Sequence, residues 1–95
     1  MSSDNLAAIL DGWLATLRQL AKHGNPHAAV WASAISAEPT AGRRLVRFGD
    51  LRVWLLGIEV PGVPGIGKPP RIDDVDGLAL YRALFVAGRG EEAGS

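Results

Sequence analysis

Cysteine is absent from the 95 residues. That removes disulfides, thiolate zinc sites, iron–sulfur ligation and thiol catalysis together. Charge of one sign is missing as well. Ten Lys and Arg balance ten Asp and Glu, so the chain as a whole has no net pull toward nucleic acid or an anionic membrane. The same balance leaves little colloidal repulsion between copies, which favours a homodimer. No apolar run approaches the ~18 residues of a membrane-spanning helix. Met1-Ser2-Ser3-Asp4 lacks the basic start of a secretory leader. The expectation is a cytoplasmic chain without membrane attachment. Histidine is scarce: His23 and His27 are split by Gly24-Asn25-Pro26, and no third ligand lies near them, so no metal is expected. No nucleophile-elbow pattern occurs. Neither a cofactor nor an enzymatic activity is expected.

What is present is an ordinary globular composition, 47% hydrophobic and 21% charged, with three Trp. The length sets one domain over 1–95, with 88–95 read as a disordered polar tail. Leu6, Leu10, Trp13, Leu17 and Leu20 recur at steps of four and three, predicting an amphipathic helix over 3–23. Gly24 suits its left-handed stop. Asn25-Pro26 reads as a cap followed by proline at the first helical position. Residues 26–37 therefore read as a second helix, in preference to the strand suggested by alternation around Val30 and Ala32. Leu20 to Val30, with its Gly-Asn-Pro turn, resembles the joint of tetratricopeptide-type helical hairpins over about a dozen residues. No second copy is present, so no repeat protein is inferred.

Arg43 to Phe48 and Leu51 to Val60 are rich in strand formers. Gly49-Asp50 between them suits a two-residue turn. The expected fold class is α+β: a helical hairpin, an antiparallel β-hairpin and a C-terminal helix over 73–87 in one small domain. In the hairpin register Arg47 opposes Arg52, a repulsion that an acidic partner, an anion or an internal carboxylate would relieve. Asp73 or Asp74 can cap the last helix. That helix is apolar nearly all round, which suggests that part of it is an interface.

Gly62 to Lys68 fits the first seven positions of the phosphate-loop pattern GxxxxGK. The next residue should be Ser or Thr opening a helix. Here Pro69 follows and biases Lys68 out of helical geometry, so the segment reads as a stiff connector.

These features point to a small protein-interaction domain, an accessory subunit or inhibitor of a larger assembly. The expected partner surface is acidic and meets Arg43, Arg44, Arg47, Arg52 and Trp54, with Tyr81 and Phe85 at a self-association surface. The alternative is a nucleic-acid binder using the arginine-rich hairpin.

Overall fold

The leucine stripe of the first segment folds as expected. In a computed structural model that describes residues 3–63 and 65–86, α1 runs Ser3–Lys22 and buries Leu10, Leu14 and Leu17. It ends in a paired-bond glycine cap. Gly24 has φ of 97°, its N–H donates to the Ala21 carbonyl, and the Asn25 N–H donates to the Leu20 carbonyl. Those two bonds satisfy carbonyls that the helix end would otherwise orphan.

The chain turns directly into α2, Pro26–Ser36. Asn25 caps it, with Oδ1 accepting from the backbone N–H groups of His27 and Ala28, both at 3.1 Å. The helix reading of this segment is therefore the right one. Its buried side, Ala28, Trp31, Ala32 and Ile35, packs along α1, the most extensive helix–helix contact among the described residues.

The β-hairpin does not form, and the α+β expectation is overturned. Among the described residues there is no strand; 41–55 is a single helix, α3, Ala41–Leu55. Thr40 caps it, its hydroxyl accepting from the Arg43 N–H at 3.2 Å. Phe48, Leu51 and Trp54 are its buried residues, spaced by three, which is a helical interval. The segment's strand propensity is overridden because this helical face, and not an alternating one, fills the space beside α1 and α2. Gly57 closes α3 with φ of 93°. The Gly57 and Ile58 N–H groups donate to the Trp54 and Val53 carbonyls, repeating the cap that ends α1.

A long connector follows, covering 56–74. Val63 is buried in the core, and the Trp54 indole N–H donates to the Gly67 carbonyl at 3.1 Å. The connector is thus pinned to α3 at the segment read as a failed phosphate loop. Then comes α4, Val75–Tyr81, whose winding widens to a π-helical extension over Arg82–Val86. Leu80 and Leu84 reach the core. The tail at 88–95 lies outside the described residues.

The result is a four-helix, all-α arrangement sharing one core among the described residues. No described helix is long and apolar enough to cross a membrane.

Candidate functional site

The arginines singled out from sequence end up in different roles. In a helix Arg47 and Arg52 stand five residues apart, about 140° around the axis, so the repulsion expected across a hairpin does not arise. Arg47 lies between two carboxylates. Its Nε donates to Glu38 Oε2 at 3.1 Å and its Nη1 to Asp50 Oδ2 at 3.2 Å. The hydrogen bond from Glu38 leads the effects that hold the Arg47 guanidinium above its ordinary value; burial works against it and Asp50 adds to it. Arg44 donates from Nε to the Glu38 carbonyl at 3.1 Å. Arg43 approaches Glu38 at 3.9 Å from an exposed position. Glu38, on the turn before Pro39, therefore serves three arginines of the first half of α3.

Arg52 is different. It is exposed, and no hydrogen bond or ion pair of its side chain occurs among the described residues. Trp54 does not stand beside it on the surface. It is 3% exposed, its ring edge-on to His27 at 5.1 Å between centroids and tilted against Trp31 at 5.6 Å. Trp54 belongs to the core.

What does accompany Arg52 is a shallow groove of about 590 Å³ between α1, α3 and the π-helical extension. Phe48 and Leu84, both buried, are its floor. Trp13, Leu45 and Phe85 contribute the walls and Arg52 the rim. Trp13 packs edge-on against Phe48, ring centroids 5.2 Å apart. Gly49 also lines the groove, and lacking a side chain it leaves the space between Leu45 and Arg52 open. Leu45 is 43% exposed, a large apolar side chain left in water beside a groove of its own kind.

Tyr81 and Phe85, expected on one self-association surface, pack on each other at 5.6 Å but border different hollows. Phe85 belongs to the groove, and Tyr81 to a second hollow beside the connector.

The most elaborate polar cluster joins the N-termini of α2 and α4. Asp74 caps α4, its Oδ1 accepting from the N–H groups of Asp76 at 2.9 Å and Gly77 at 3.1 Å. Its Oδ2 meets His27 Nε2 at 3.0 Å. Asn25 donates from Nδ2 to the Asp76 carbonyl at 3.0 Å. Each cap thus also grips the other helix. The hydrogen bond with His27, followed by that from Gly77, holds the Asp74 carboxyl below its ordinary value. An imidazole–carboxylate pair is a common catalytic unit, but here the carboxylate is committed to helix ends, and the pair reads as a structural clasp. No cluster of three potential metal ligands occurs among the described residues. Trp31, fully buried, has an indole N–H without an acceptor there, an unusual donor to leave unpaired.

Compared with known proteins, the chain matches no family model, no curated protein and no solved structure.

Proposed function

We propose that this chain is a non-enzymatic protein-interaction domain, an accessory subunit or inhibitor, that receives an apolar segment of an acidic partner in the groove between α1, α3 and the π-helical extension. The observation that carries this reading is Arg52, a cation without a carboxylate among the described residues, on the rim of a groove lined by Trp13, Leu45 and Phe85. Aromatic side chains and arginine are the residue types enriched at binding hot spots. Arg52 would contribute register and orientation, and the apolar walls most of the affinity. The expected surface built on Arg43, Arg44, Arg47, Arg52 and Trp54 is accordingly replaced by one that keeps only Arg52.

Selection of a displayed peptide library against the purified chain tests this. Enriched peptides should combine spaced large apolar residues with Asp or Glu. Arg52→Ala should weaken an enriched peptide about tenfold, the equivalent of 1.4 kcal/mol, and Leu45→Glu should abolish binding. Arg47→Ala should leave it within about twofold once folding is verified by circular dichroism. Enrichment of basic peptides, or affinity unchanged in both Arg52→Ala and Leu45→Glu, overturns the reading. So does tight binding of single-stranded RNA or duplex DNA that falls steeply with salt, which would restore the nucleic-acid alternative.

A further inference from the structure

We propose that two copies of this chain associate through the second hollow, seating Ile72 of each copy against Leu56 and Leu78 of the other. The inference is independent of the groove and of its partner. The hollow, about 290 Å³, lies where the end of α3, the end of the connector and α4 converge. Three of its bordering side chains are large, apolar and in water: Ile72 is 96% exposed, Leu56 56% and Leu78 44%. Val75 and Ile58, close by in sequence, are exposed as well. Monomers rarely leave large apolar side chains clustered in water without a partner, and Ile72, Leu56 and Leu78 do so around one hollow.

The character of the rim identifies the occupant. A two-fold interface uses the same patch on both copies, so the patch must be complementary to itself. It needs a projection and a recess, and it needs both charges or neither. Ile72 is the projection and the hollow is the recess. Arg71 and Asp73 flank Ile72, carrying both signs. Their mutual ion pair is long, 3.6 Å, with side chains 89% and 75% exposed. Such a pair contributes little, so both groups are free to pair across a two-fold axis, Arg71 of one copy with Asp73 of the other. The groove at Arg52, whose rim arginine lacks a carboxylate among the described residues, has no such self-complementarity. The zero net charge of the chain removes long-range repulsion between copies.

Sedimentation equilibrium of the full chain over micromolar to millimolar concentration is the measurement. The chain has a mass of 10.0 kDa, and the expected limiting mass is twice that. Ile72→Glu, at a site too exposed to disturb the core, should raise the dimer dissociation constant at least tenfold. Leu45→Glu, in the groove, should leave it within about twofold. Arg71→Asp alone and Asp73→Arg alone should each weaken the dimer, and the double variant should recover most of the loss. A wild-type chain that stays monomeric throughout overturns the proposal. A dimer that persists unchanged in Ile72→Glu does so too, as does a double variant weaker than either single one.

Discussion

Asp74 combines three contacts in one carboxylate, two to the first turn of its own helix and one to His27. Replacing it with Ala removes all three and should cost about 1–2 kcal/mol, most of it from the lost cap. Asn keeps a capping oxygen, so Asp74→Asn should cost less; urea unfolding at neutral pH distinguishes them. The two should also differ from wild type in acid. The folded carboxyl sits below its ordinary value of 3.8. A depressed acid contributes stability that is present above the unfolded value and is lost as pH falls through the folded one. Wild type should therefore lose stability more steeply than Asp74→Asn below about pH 4. Equal slopes would mean that the His27 contact and the cap hydrogen bonds together do not depress the carboxyl in solution. The capping role of Asp74 is legible locally, because Asp before a helical run is a recognised start. Its contact with His27, 47 positions away, leaves no local trace.

At the scale of elements, α1, α2 and α4 could be read because each carries its own punctuation. Gly24 stops one helix, Asn25-Pro26 starts the next, and Asp74 starts the last. The reading failed at α3, where Val46, Val53 and Trp54 favour strands and Gly49-Asp50 resembles a hairpin turn. The signals for a helix were there too: Thr40 as a cap, Phe48, Leu51 and Trp54 at intervals of three, and Gly57 as a stop. One substitution separates the two conformations. In a helix Gly49 is a weak point, and a Cβ added there meets nothing within 4 Å. Gly49→Ala should raise stability by about 0.5–1 kcal/mol, read as a higher urea midpoint. In a tight hairpin turn with positive φ the same change would destabilise the chain.

For the molecule as a whole, the sequence showed a cluster of arginines but not which of them was already satisfied. Glu38 lies nine residues before Arg47, and only the turn at Pro39 brings them together. The groove could not have been anticipated either. Its walls come from Trp13, Leu45 and Phe85, three positions far apart in the chain that meet only once α1, α3 and the π-helical extension are docked. What sequence could give was the surplus of apolar surface on the last helix. The structure divides that surplus between the core, through Leu80 and Leu84, and the two hollows.

The three tryptophans occupy unequal surroundings. Trp31 and Trp54 are sealed in the interior, while Trp13 is half-buried and forms one wall of the groove. The protein therefore carries its own optical probe. A molecule entering the groove dries one indole and leaves the other two in the same surroundings. Emission should shift to the blue by an amount that one fluorophore accounts for, and iodide quenching of that component should fall. Trp13→Phe should silence the response while the interior pair goes on reporting global unfolding. Occupancy and stability can thus be followed in the same cuvette without a label.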